Sequence, residues 1–348
     1  MSGKMKAVQK AQAAPGAKVI EAPIPAPTSH QVLVKVKATS ICGTDIHIYN
    51  WDPWSAGRIK PPMIFGHEFS GEVVEIGSQV EHVSVGDHVS AETHIPCGGC
   101  FQCRTGQMHI CQNVEILGVD RDGCFAEYIA VPEICCIKND KSLPWEIASI
   151  QEPFGNATYC VSEARVSGKS VVIFGDGPIG IFAAGIARAY GATNLICCGM
   201  QERRLDLMRR FGPDHVIDVT KANARDAVMD ITRGEGVDVV LEMSGAEPAF
   251  HDGFAVIKRG GTFIAFGIPS RPVGLNLAEE VIFKGVTIKA INGRRMFDTW
   301  YEVANLLGSG RVDVKPVLTH TFPLEKIDDA MSLLNAKEIK AGKIVLKP

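Results

Sequence analysis

Cys97, Cys100, Cys103 and Cys111 form a C-x2-C-x2-C-x7-C run, with Gly98, Gly99 and Gly106 between them. Glycines at such points let the backbone fold tightly around an ion. Four thiolates make a closed tetrahedral shell with no position left for a substrate, so the metal they imply is structural. Zinc suits this set, and an iron–sulfur cluster also takes four cysteines. A second, more dispersed set comprises Cys42, His67, Glu68 and Glu152, which offer a thiolate, an imidazole and two carboxylates. Taken singly, Cys42 and His67 read as an ordinary buried thiol and a satisfied core imidazole. Together they match catalytic zinc, which keeps three protein ligands and an exchangeable position. Thr44 and His47 follow Cys42 closely, a hydroxyl and an imidazole suited to moving a proton.

A third pattern is Gly175-Asp176-Gly177-Pro178-Ile179-Gly180. It follows an apolar stretch, Ser170–Phe174, and opens a stretch of helical period, the context that a dinucleotide fingerprint requires. Gly175, Gly177 and Gly180 would allow a pyrophosphate to reach the amide groups at a helix N-terminus. The fingerprint ordinarily has an acid about 20 residues on, for the adenosine ribose hydroxyls. Here the next strand ends at Cys197-Cys198-Gly199 without one, and Gln201, Glu202, Arg203 and Arg204 follow. A missing acid removes repulsion against a 2′-phosphate, and Arg203 and Arg204 could pair with it. NADP is therefore expected over NAD.

The elements that must position these groups divide the chain. Up to about residue 140 there are short strands punctuated by Gly and Pro, such as 32–37, where Val32, Val34 and Val36 share one face and Lys35 and Lys37 the other. This pattern suits a mostly β, barrel-like domain. Beyond about residue 165, apolar strands alternate with helices, as in a doubly wound parallel sheet. Two helical stretches, 297–307 and 324–335, and a last strand, 343–346, close the chain, and pattern alone does not assign them to either domain. At 348 residues there is room for two cores. Net charge is −3, with Lys and Arg scattered, which argues against a nucleic-acid or membrane-surface partner. No apolar run approaches the roughly 20 residues needed to span a bilayer. The first ten residues, MSGKMKAVQK, lack the apolar core of a signal peptide. Eleven cysteines without such a signal point to reduced thiols and a cytoplasmic protein.

On these motifs the chain resembles the zinc-dependent medium-chain dehydrogenases over essentially its whole length. Gly66-His67-Glu68, the four-cysteine lobe and the glycine fingerprint carry the general likeness. Narrower agreement, with the branch that oxidises L-threonine, runs through residues 41–52, 92–95, 152–157, 241–246 and 293–301. The resemblance implies an α/β protein in which a GroES-like mostly-β catalytic domain spans 1–155, with a structural-zinc lobe at about 94–115. A Rossmann domain would span 156–295, and 296–348 would return to the catalytic domain. It also implies Cys42, His67 and Glu68 as catalytic-zinc ligands, with Glu152 as a carboxylate that either ligates the zinc or exchanges with water during turnover. Thr44 and His47 would be the proton relay, and Cys97, Cys100, Cys103 and Cys111 the structural zinc site. Cofactor contacts would come from the fingerprint (Gly175, Gly177, Pro178, Ile179, Gly180), from Gly199, Arg203 and Arg204, and from Phe266, Gly267, Ile268, Ile291 and Asn292. The expected substrate is a small secondary alcohol, L-threonine or a polyol, and the expected assembly a homotetramer with two zinc ions per chain. A non-catalytic nucleotide-binding relative, keeping only the structural zinc, is the reading from another class. Two positions depart from the family pattern. Gly199 stands where an acid is usual, and Asp176 replaces a small residue for no reason legible in the sequence.

Overall fold

The computed structural model describes residues 3–348. Its first unit is built on a sheet with strand order Cys136–Lys138, His88–Ala91, Glu68–Ile76, Gln31–Ser40, Lys343–Lys347 and Leu318–Pro323, while Tyr128–Pro132 also pairs with Gln31–Ser40. In Gln31–Ser40 the residues Val32, Val34 and Val36 are buried and Lys35 is exposed, as period-two patterning requires. A smaller sheet sets Lys4–Lys10 between Lys18–Pro23 and Met63–Ile64.

The second unit is a six-stranded parallel sheet. Its strands lie in the order His215–Asp218, Asn194–Gly199, Ser170–Phe174, Val237–Glu242, Ile257–Ala265 and Thr287–Ala290. Numbered along the chain this is 3-2-1-4-5-6, the doubly wound arrangement whose ligand crevice opens at the carboxyl ends of the strands. Ser170–Phe174 is apolar throughout because both of its faces are covered. Val171 and Ile173 join the core containing Phe154, Ile181 and Phe182, and Val172 and Phe174 join that containing Val228 and Phe254.

The last fifty residues are shared between the units. Helix Asp298–Gly308 places Val303 and Leu306 in the core with Phe154 and Phe182, so it stays with the dinucleotide-type sheet. The return to the first unit therefore begins later than residue 296. Helix Ile327–Leu334 joins the core of the first unit, and Lys343–Lys347 pairs antiparallel with Gln31–Ser40 through Leu346↔Thr39 and Val345↔Ser40. No helix among the described residues is long and apolar enough to cross a membrane.

Candidate active site

Sheet register brings the dispersed donors together. Ser40 lies opposite Glu68 in the antiparallel pair of Gln31–Ser40 with Glu68–Ile76, so Cys42, two residues beyond one strand, faces His67, just before the other. The approach to His67 is tight. Gly66 has φ +88°, and a Cβ there would lie 2.2 Å from Phe125 Cδ1. Cys42 caps helix Gly43–Asn50, where the Asp45 carboxylate accepts from the Cys42 amide at 2.9 Å. The outcome is a group in which Cys42 Sγ, a ring nitrogen of His67 and a carboxylate oxygen of Glu68 lie within 4.8 Å of one another.

Among the described residues, the buried Glu68 Oε1 has no hydrogen-bond partner, and His67 Nδ1 and Asp45 Oδ1, likewise without one, face each other at 3.6 Å. Orphaned buried acceptors are costly unless something satisfies them, and a thiolate–imidazole–carboxylate set suits zinc. The residues present therefore fit a metal ion. Asp45 stands 3.6 Å behind His67, where a carboxylate orients a ligating imidazole. Burial disfavours charge on His67, but Asp45, then Cys42 and Glu152, outweigh it and raise the imidazole above its ordinary range. Burial likewise raises the Asp45 carboxyl.

The remaining Glu68 oxygen, Oε2, accepts from Ser40 Oγ and from Lys343 Nζ. Lys343 is 2% exposed and also donates to Ile41 O at 2.8 Å. The C-terminal strand thus reaches the metal-type group directly, through a lysine the sequence reading passed over. Its only signal was a charged residue opening the apolar run 344–346.

Glu152 lies outside the 4.8 Å group. Its Oε1 accepts from Arg294 Nη1, and Asn156 Nδ2 reaches its Oε2 at 3.5 Å. Arg294 is fully buried and bridges Glu152 to Glu92, with Nε donating to Glu92 Oε2 at 3.0 Å and Nη2 donating to Oε1. Trp300 Nε1 and the His94 amide complete the shell of Glu92, at 2.8 and 2.9 Å. Gly155 makes room, since a Cβ there would lie 2.6 Å from Arg294 Cδ. The sequence reading quoted Glu92 and Arg294 inside longer stretches without a role. A charge pair 202 positions apart leaves no local signal.

Thr44 and His47 sit one turn apart on helix Gly43–Asn50. Thr44 Oγ1 is 3.8 Å from Cys42 Sγ, and the exposed His47 places Nδ1 at 2.6 Å from Asp52 Oδ2. Burial works against the Asp52 carboxylate, but the Ser55 amide and His47 hold its carboxyl below the usual range. An ionised carboxylate only accepts, so Nδ1 carries the hydrogen and Nε2 is left free to take up a proton.

The four-cysteine lobe hangs on the strand pair His94–Ile95 with Glu115–Ile116. Its sulfurs lie within 4.8 Å of one another, with Cys100 3.5 Å from Cys103 and 3.7 Å from Cys111. Zinc–sulfur bonds of about 2.3 Å give a tetrahedral edge of about 3.8 Å, so the group is sized for one ion and is too open for disulfides. Multi-iron clusters do not fit between sulfurs this close.

The fingerprint turns as its glycines require. Helix Pro178–Ala189 starts from Gly177, Gly175 has φ +121°, and a Cβ on Gly180 would lie 2.0 Å from Gly175 O. A Cβ on Gly177 would meet nothing within 4 Å, so protein packing does not demand this glycine and the space over the helix N-terminus stays clear for a phosphate. Beside it, Glu242 accepts from the amides of Ser244 and Gly245 at 2.9 and 3.0 Å, shaping the loop after the fourth parallel strand. Ile268 is 91% exposed at the same end of the sheet, while Ile291 is buried and Asn292 exposed. Arg203 is exposed, and Arg204 directs Nε to Ala341 O at 3.0 Å.

Comparison with known proteins agrees with this geometry. Residues 28–141 match the alcohol dehydrogenase GroES-like domain, and residues 178–309 match the zinc-binding dehydrogenase family. The chain is 48% identical to an L-threonine 3-dehydrogenase of Symbiobacterium thermophilum, over 100% of this chain and 99% of that protein. It is 46% identical to an L-threonine 3-dehydrogenase of Bacillus licheniformis over 100% of both. Among solved structures, a Sinorhizobium meliloti protein described as a zinc-binding dehydrogenase, bound to NADP, superimposes with a TM-score of 0.91. It is 28% identical, over 99% of this chain and 100% of that one.

Proposed function

The chain belongs to the zinc-binding dehydrogenases with a GroES-like domain, and from that premise we propose that it oxidises the secondary hydroxyl of L-threonine to 2-amino-3-oxobutanoate. The observation that carries the substrate is end-to-end similarity to enzymes of that activity. Zinc held by Cys42, His67 and Glu68 supplies, when bound, a Lewis acid for the hydroxyl, and a nicotinamide dinucleotide supplies the hydride acceptor. Lys343 and Ser40 restrain Glu68, and Asp45 orients His67. Thr44 Oγ1 takes the hydroxyl proton as it gives up its own hydrogen, and His47 Nε2 takes up a proton and releases it to solvent. Arg294 holds Glu152 at the edge of the group. The second zinc, held by Cys97, Cys100, Cys103 and Cys111, is structural, which makes two per chain.

Turnover of threonine beside sorbitol and 2,3-butanediol tests the substrate; a polyol oxidised while threonine stays inert would remove it. Metal analysis returning one zinc per chain would favour a non-catalytic relative instead. We extend the reading to a cytoplasmic homotetramer on family resemblance, and a sedimentation mass other than about four times the 37.5 kDa chain would overturn the assembly.

His47→Asn tests the relay. His47 is exposed, so the fold and cofactor affinity should hold while kcat near neutral pH falls about 100-fold, the lower end for lost acid–base help. An unchanged kcat–pH profile would remove His47 from the mechanism.

A further inference from the structure

The two departures from the family pattern meet in space. Asp176, in the glycine turn, is 8% exposed, and its Oδ2 accepts from the amides of Met200 at 2.7 Å and Gln201 at 2.6 Å. Those bonds pin the carboxylate against the carboxyl end of strand Asn194–Gly199. A Cβ built on Gly199 would lie 2.5 Å from Asp176 Cβ and 2.7 Å from its Oδ2. Asp176 thus fills the room where a side chain at 199 would begin. Its other oxygen, Oδ1, accepts no hydrogen bond among the described residues.

We propose that Asp176 is the cofactor-selecting residue: it supplies, from the glycine turn, the carboxylate that strand Asn194–Gly199 lacks, and so selects NAD over NADP. The proposal rests on the dehydrogenase reading above. A carboxylate here accepts from the ribose 2′- and 3′-hydroxyls, as the fingerprint's usual acid does. A 2′-phosphate offers it no donor and adds like charge at close range. The two backbone amides that could have held such a phosphate are already taken by Asp176. Arg204, expected to pair with the phosphate, directs Nε to Ala341 O, and its charge lies within electrostatic reach of Asp176. The sequence-based preference for NADP assumed that no acid was present, and the fold brings one in from 23 residues earlier in the chain, Asp176 against Gly199.

Calorimetric dissociation constants for NADH and NADPH, measured on the full chain, test this. The wild type should bind NADH more tightly than NADPH. Asp176→Ala should weaken NADH about 10- to 100-fold, the range for lost hydrogen bonds to a charged group, without weakening NADPH. Because Asp176→Ala also frees two amides, a second variant is needed. Asp176→Gly with Gly199→Asp removes the Asp176 Cβ that a side chain at 199 would meet at 2.5 Å, returns the acid to the strand end and should recover NADH affinity. Gly199→Asp alone crowds two carboxylates and should bind NADH less well than the wild type. Tighter NADPH binding by the wild type, or an NADH:NADPH ratio unmoved by Asp176→Ala, would overturn the assignment of Asp176 alone. Binding of neither dinucleotide by the wild type would overturn the dehydrogenase reading as well.

Discussion

Cys42→Ser is expected to lower kcat/KM by about three orders of magnitude, because Lewis-acid assistance is worth several kcal/mol of barrier. Serine keeps the size of the side chain but replaces a soft thiolate with a hydroxyl that stays protonated near neutral pH. His67 and Glu68 would then face one another with two donors where three are needed. Bound zinc should fall from two per chain to one, with the circular dichroism and melting temperature close to the wild type. Cys103→Ser gives the mirror outcome. It too should remove one zinc, but from a lobe whose sulfurs are spaced for a single ion, so the loss appears mainly as stability and only secondarily as rate. Equal activity in Cys42→Ser and wild type would assign the chemistry to some other group.

Arg294→Ala is the second large effect, and it concerns stability first. Arg294 and Glu92 are fully buried, and the guanidinium bridges Glu92 and Glu152. Removing one partner of such a pair leaves an uncompensated buried charge, at a cost of about 3–5 kcal/mol. Lysine should not rescue it, because a point charge cannot bridge two carboxylates in the fork geometry of a guanidinium. A urea midpoint unchanged in Arg294→Ala would sink this account.

The pH dependence has a definite sign. Burial works against charge on Glu92, but Arg294, and then His94, outweigh it and hold its carboxyl far below the usual range. A depressed carboxyl stabilises the fold above its unfolded value of about 4.3, and that contribution is lost as pH falls through the folded value. Wild-type stability should therefore fall on acidification below about pH 4.3. In Arg294→Ala the Trp300 indole and His94 still favour the Glu92 carboxylate, but the largest counterweight to burial is gone and the carboxyl rises towards its unfolded value. The loss of stability on acidification should therefore be smaller in that variant than in the wild type. Parallel pH profiles for the two proteins would refute the role given to Arg294.

How much of this was legible in the chain varied by residue. The four-cysteine lobe reads directly, because ligands within fifteen residues carry their geometry in their spacing. Cys42 with His67 was legible as a candidate pair, and the alternation from Ser170 to Phe266 was legible as a parallel sheet, though its last strand, Thr287–Ala290, was not. The C-terminal boundary was not. Helix Asp298–Gly308 and strand Lys343–Lys347 are both amphipathic or apolar, and only packing assigns the first to one core and the second to the other sheet. Glu152 could be recognised as a carboxylate near the site, but nothing local shows that Arg294, 142 positions away, holds it.

Residue types and short spacings by themselves determined the metals to expect, the dinucleotide turn and the order of the elements, since each depends on groups within a turn or two of backbone. The tertiary structure alone decided which groups meet. Lys343 meets Glu68, Arg294 meets Glu92 and Asp176 meets Gly199 only because sheet register and loop crossing bring them together. Coulomb and hydrogen-bond energies fall off over a few ångströms of space, whatever the separation in sequence.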